Sequence, residues 1–150
     1  MNQAITALTG AALLFSAAAT ADLTPWEDYD VGESVWSVTT IKVDSNMGDA
    51  YLEGIRDTWV KGQEIAKELG HIQDYFIYRS ELPESGDFNL MLVILFEDDS
   101  DLGPSKERYD AFMAEWGEDN ADAATEQAQQ DYPAMREIVG EYRFRQITLK

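Results

Sequence analysis

The chain has no cysteine, one histidine (His71) and only four prolines in 150 residues. Without cysteine there is no disulfide, no thiolate nucleophile, no Cys-ligated zinc or iron–sulfur centre, and no lipid anchor on a cysteine. A single histidine rules out a paired-His metal motif, and the sequence has neither a Gly-rich phosphate loop nor a nucleophile elbow. Basic side chains are scarce as well: 11 Lys and Arg stand against 29 Asp and Glu, a formal charge of −18. Charge of that sign repels phosphate backbones and anionic lipid headgroups, so no nucleic-acid partner is expected. The first reading of the acidity is solubility. Asp98-Asp99-Ser100-Asp101-Leu102-Gly103 does not match the ligand spacing of a calcium loop, and Glu118, Asp119, Asp122 and Glu126 read as a polar helix face.

Apolar residues are present in quantity. They make up 45% of the chain and include four Trp, seven Tyr and six Phe, enough for the packed core of one domain. The first 21 residues, MNQAITALTGAALLFSAAATA, carry no ionisable side chain, and they end in Ala19-Thr20-Ala21 before Asp22. This is a small-x-small cleavage pattern behind an apolar centre at Ala11–Phe15, although the Lys or Arg usual near a leader's start is missing. The apolar run is interrupted at Thr6, Thr9, Gly10 and Ser16, too short for a spanning helix. The expectation is a signal peptide over 1–21, removed on export to a periplasmic or secreted location, with no stable membrane insertion afterwards.

An irregular lead-in is expected over 22–33, and an α+β domain over 34–150. SVWSVTTIKV at Ser34–Val43 is rich in β-branched residues and predicts a strand. Asp44-Ser45-Asn46 then supplies helix-starting side chains. Met47, Tyr51, Ile55, Trp59, Gly62, Ile65, Ala66 and Leu69 form one stripe of a helix that stops at Gly70. His71–Leu82 predicts a second strand, Pro83–Gly86 a turn, and Asp87–Glu97, with its LMLVILF run, a third strand apolar on both faces. A second helical region is expected over Ser105–Gln129, weakened at Gly117, then a short helix over Tyr132–Val139 ended by Gly140. The last strand is expected over Glu141–Leu149. The order β-α-β-β-α-β, with one added helical segment, is that of the ferredoxin-like fold with an antiparallel sheet. Helices then cover one sheet face, and pairing with a second copy is the simplest cover for the other.

From Ser34 to Leu149 the chain resembles the dimeric α/β-barrel superfamily. The resemblance rests on element order, the helix stripe, the apolar strand at Leu90–Phe96 and the closing strand at Tyr142–Leu149. It implies a homodimer whose two sheets close around interior pockets. Members include cofactor-free monooxygenases, haem-degrading enzymes, chlorite dismutase-like and muconolactone isomerase-like proteins, and no short motif here selects among them.

Strand residues two apart share a face, so Arg143 and Arg145 fall together, as do Tyr75 and Arg79. If the opposite faces meet the helices, these arginines face the barrel interior and offer planar donors to an anion. Otherwise they pair with the abundant acids on a solvated sheet. His71 is a candidate acid/base, but it follows Gly70 at a helix–strand junction. The helix-borne histidine of haem-degrading relatives therefore does not carry over to it. Trp59 and Tyr75 are candidates to stack on an aromatic ligand, or are core residues. The resulting expectation is an exported homodimer, needing no cofactor or metal, that binds a small apolar or anionic ligand. The alternative is a cofactor-independent monooxygenase or isomerase acting on an aromatic or lactone substrate, which requires His71, Tyr75, Arg79, Arg143 and Arg145 to converge on one cavity. A third reading is an interaction protein that turns its acidic surface toward a basic partner.

Mass spectrometry of the exported protein is expected to find Asp22 as the first residue. A retained Met1 would remove the leader and the envelope location together.

Overall fold

The computed structural model describes residues 22–150, so the expected leader lies outside the described residues. Strand β1 (Tyr29–Val31) is followed by β2 (Val35–Val43), and then by helices α1 (Gly48–Ile55) and α2 (Lys61–Glu68). Strands β3 (Asp74–Arg79) and β4 (Leu90–Phe96) come next. Helices α3 (Lys106–Trp116) and α4 (Glu118–Gln130) lead to β5 (Arg136–Phe144) and β6 (Ile147–Leu149). The main sheet has four strands in the order β3-β4-β2-β5, every neighbouring pair antiparallel. With helices after its first and third strands, that is the ferredoxin-like order. The sheet is open at β3 and β5, and no barrel closes among the described residues.

One face of the sheet makes the core with the expected helix stripe. Tyr51 and Ile55, each 1% exposed, sit on Ile41, Val43, Leu90 and Leu92, with Trp59, Ile77 and Met135 at the margin. Each such aliphatic side chain contributes about 1.5–3 kcal/mol by leaving water. Gly62 faces α3, where a Cβ would lie in ordinary van der Waals contact with Phe112 at 3.7 Å. The helix expected to be continuous carries a π-helical turn at Arg56–Val60 between α1 and α2. In it the Thr58 hydroxyl donates to the Gly54 carbonyl at 3.0 Å and lies 2.7 Å from the Tyr132 hydroxyl. A side chain competing for backbone carbonyls in this way is a recognised cause of irregular helix turns.

Four expectations are corrected. Residues 22–33 are not wholly irregular: β1 pairs antiparallel with β6, Tyr29 opposite Leu149 and Val31 opposite Ile147. The region Ser105–Gln129 is two helices. Gly117, at φ 80°, ends α3 and begins α4, a backbone conformation that L side chains resist. Tyr132–Val139 is not a helix. A single 3₁₀ turn at Tyr132–Ala134 uses Pro133 in its first turn, and the chain is already extended at Arg136, opposite Val43. The β-branched pair Ile138-Val139 suits that ladder better than a helix. Gly140 marks a β-bulge. It stands opposite Thr40 while Ile138 stands opposite Ile41, which leaves Val139 as the extra residue. The strand expected to run unbroken to Leu149 turns out of the sheet after Phe144.

Asn89, 7% exposed, pins the end of β2. Its amide oxygen accepts from the Val43 N–H at 2.8 Å, and its amide nitrogen donates to the carbonyls of Val43 (2.8 Å) and Pro83 (3.1 Å). Asn89→Leu is expected to lower unfolding free energy by about 2–4 kcal/mol in denaturant melts, because it orphans both polar groups of Val43. A loss below about 0.5 kcal/mol, the range of ordinary surface changes, would show that the bonds carry no net stability.

Candidate functional site

Strand register fixes which side chains share each face. Trp36 is opposite Phe144, Val38 is opposite Val93 and Tyr142, and Tyr78 is opposite Met91. All of these point away from the helices, because the intervening residues Ile41, Val43, Leu90 and Leu92 form the core. The face is aromatic. Trp36 stacks on Phe76 with centroids 5.9 Å apart, Phe76 meets Tyr78 at 6.2 Å, and Tyr142 stacks on Phe144 at 5.8 Å. Val38 and Val93 at its centre are buried beneath their neighbours, but the rings around them are open: Tyr78 is 47% exposed, Tyr142 48% and Phe144 52%. A groove of about 570 Å³ runs across it, lined by Trp36, Val38, Tyr78, Met91, Val93 and Phe144, with Arg145 and Gln146 at one end.

Gly140 shapes this surface. Tyr142 folds back over it so closely that a Cβ at 140 would fall 2.6 Å from the phenol oxygen and 2.8 Å from a ring carbon. Any side chain at 140 therefore displaces the ring.

Arg145 is held in place. One guanidinium nitrogen donates to the carbonyls of Gly32 (3.0 Å) and Glu33, and the other meets the Asp99 carboxylate. These bonds tie the lead-in and the turn after β4 to the end of β5. Neighbouring Asp98 starts that turn by accepting from the Ser100 N–H at 2.6 Å. Hydrogen bonds from Ser100, and then the charge of Arg145, hold the Asp98 carboxyl below the usual aspartate range.

The other residues singled out from the sequence are dispersed. Tyr75 and Arg79 share a face as expected, but it is the helix-covered one. Tyr75 packs its ring edge-on to Trp59 with centroids 5.5 Å apart and donates to Glu64 at 3.4 Å. Burial, and then Glu64, raise the Tyr75 phenol above its ordinary pKa. Arg79 pairs with Asp49 at 3.1 Å beside a second cleft, of about 370 Å³, at the start of α1. Arg143 stands opposite Ser37, also on the helix side, and is exposed. His71 sits at the α2–β3 junction, where its backbone N–H donates to the Ala66 carbonyl at 2.8 Å. The placement of the arginines toward an interior is therefore reversed for Arg79 and Arg143. Both faces of β3 carry apolar side chains, and the helix stripe selected the one bearing Tyr75 and Ile77. Only Arg145 reaches the groove, and the polar set does not converge on one cavity.

The aromatic set was visible as alternation at Phe76/Tyr78 and Tyr142/Phe144, but that alternation does not say which side the helices take. Among the described residues no group of three or more acidic or histidine side chains is placed to hold a metal ion. No helix among them is long and apolar enough to cross a membrane.

No family model matches the chain, and no curated protein matches it. Solved structures do. Protein SO0527 from Shewanella oneidensis is 15% identical, with 80% of this chain and 98% of that one covered and a TM-score of 0.50. The fold is shared. HapK from Hahella chejuensis is 18% identical over 75% of this chain and 91% of its own, at a TM-score of 0.45. A dimeric ferredoxin-like protein of unknown function from Thermobifida fusca is 9% identical over 78% and 92%, at 0.40. At these identities the likeness speaks for the fold alone.

A carboxyl whose folded pKa is depressed adds stability that is complete above its unfolded pKa and is lost as pH falls through the folded one. Asp98→Asn is therefore expected to destabilise the protein at neutral pH and to flatten the fall in stability across and below the usual carboxylate range. Denaturant melts on a pH series check this, and parallel curves for the two proteins would refute it.

Proposed function

We propose that the protein is an exported homodimer that holds a small ligand between two apposed sheets, in the barrel arrangement expected from its element order. The observation that carries the reading is the open aromatic face with its groove. Helices satisfy one side of the sheet, while Tyr78, Tyr142 and Phe144 stay half-exposed on the other. A contiguous apolar patch of this kind marks a surface that is covered in use. A second copy supplies a matching twisted sheet through an isologous contact, so the same residues serve both sides. The groove volume falls within the ~300–1,000 Å³ of small-molecule sites. The leader pattern motivates the envelope location. A binding role is preferred to catalysis because the acid/base candidates lie apart: His71 at a helix–strand junction, Tyr75 against Trp59, and Arg79 beside Asp49.

Sedimentation equilibrium at micromolar concentration is expected to give a dimer mass, and Phe144→Glu is expected to give a folded monomer. A wild-type monomer, or a dimer indifferent to both Phe144→Glu and Tyr142→Glu, would place the contact elsewhere or remove it.

A further inference from the structure

We propose that the groove selects a neutral, flat aromatic ligand and excludes anions, an inference that rests on the groove being the ligand site. Two cations reach the open face, and both are already engaged. The Arg145 guanidinium is bound by Gly32, Glu33 and Asp99. Lys42 donates to the carbonyls of Pro83 (3.1 Å) and Gly86 (3.3 Å) and has Glu137 opposite it in the ladder. An anion entering the groove would meet an Arg145 whose charge is already paired with Asp99 and whose Nη1 holds two carbonyls, or lie in an apolar trough without a counter-charge. A buried ionised group in that position is costly. The formal charge of −18 adds a repulsion of the same sign.

What the groove offers freely is ring surface and neutral hydrogen bonding. Trp36 and Phe144 line it, and aromatic pairs gain energy beyond that of area burial. Tyr78 and Gln146 also line it, residues whose side chains carry a hydroxyl and an amide. Together they supply donors and an acceptor for a hydroxyl, carbonyl or amide edge. The ligand class that fits is an uncharged fused or linked aromatic carrying one such group.

The experiment titrates the full-length chain with a matched pair of probes, 2-naphthol as the neutral member and 2-naphthoate as the anion, at neutral pH. Calorimetry is run at low and high salt. Naphthol is expected to bind about tenfold or more tightly than naphthoate, with the gap narrowing as salt rises. Gln146→Ala is expected to weaken naphthol several-fold. Met91→Trp, which fills the groove, should abolish binding, and Phe144→Ala, at an exposed position, serves if Met91→Trp does not fold. Equal or tighter naphthoate binding that these variants abolish would overturn the neutral preference and leave the groove as the ligand site. Binding of neither probe, or binding indifferent to both groove variants, would overturn the groove itself and this inference with it.

Discussion

Tyr51 and Ile55 press on Ile41, Val43, Leu90 and Leu92, and the remainder of the molecule is arranged around that contact. A sheet residue has only two sides to choose from. Once the helix stripe claims the side bearing Ile41 and Leu90, Trp36, Val38, Met91 and Val93 are committed to the other, together with their cross-strand neighbours on β3 and β5. Neither side of this sheet is polar. Among the described residues one apolar surface is covered by helices and the other is not, its rings half in water. The functional proposals all descend from that imbalance.

The irregularities lie where the sheet has to be shaped. The bulge at Gly140 makes room for the Tyr142 ring, and the departure after Phe144 sends the chain toward β1. Arg145 sits at this corner and holds three segments at once. It is a clamp whose charge is paired with Asp99 and whose Nη1 is committed to the Gly32 and Glu33 carbonyls, so the arginine nearest the groove is already engaged by the fold.

Much of the fold was legible in the sequence, because both periodicities were strong. The β-branched run to Val43, the stripe through Tyr51, Ile55 and Gly62, the LMLVILF strand and the start of α3 at Ser105 lie within a few residues of their expected places. The misses among the strands share one cause. Local pattern does not report pairing between distant segments, so Ile138-Val139 looked helical until β2 was beside it, and Tyr29–Val31 looked irregular until β6 was. The site was less legible. Alternation correctly grouped Tyr75 with Arg79, and Phe76 with Tyr78. Which group meets the helices depends on packing three-dimensional faces, and two apolar choices gave the sequence no means to decide.

The β1–β6 ribbon also bears on how the molecule comes into being. Gly32 and Arg145 touch across a separation of 113 positions, and the ribbon beyond them joins residues equally remote. Closing so long a loop costs entropy before any contact repays it, so this pairing forms late, after the central sheet has brought its ends together. During synthesis β1 is made well before β6, so Tyr29–Val31 waits without its partner strand until the end of β5 has been laid down beside β2.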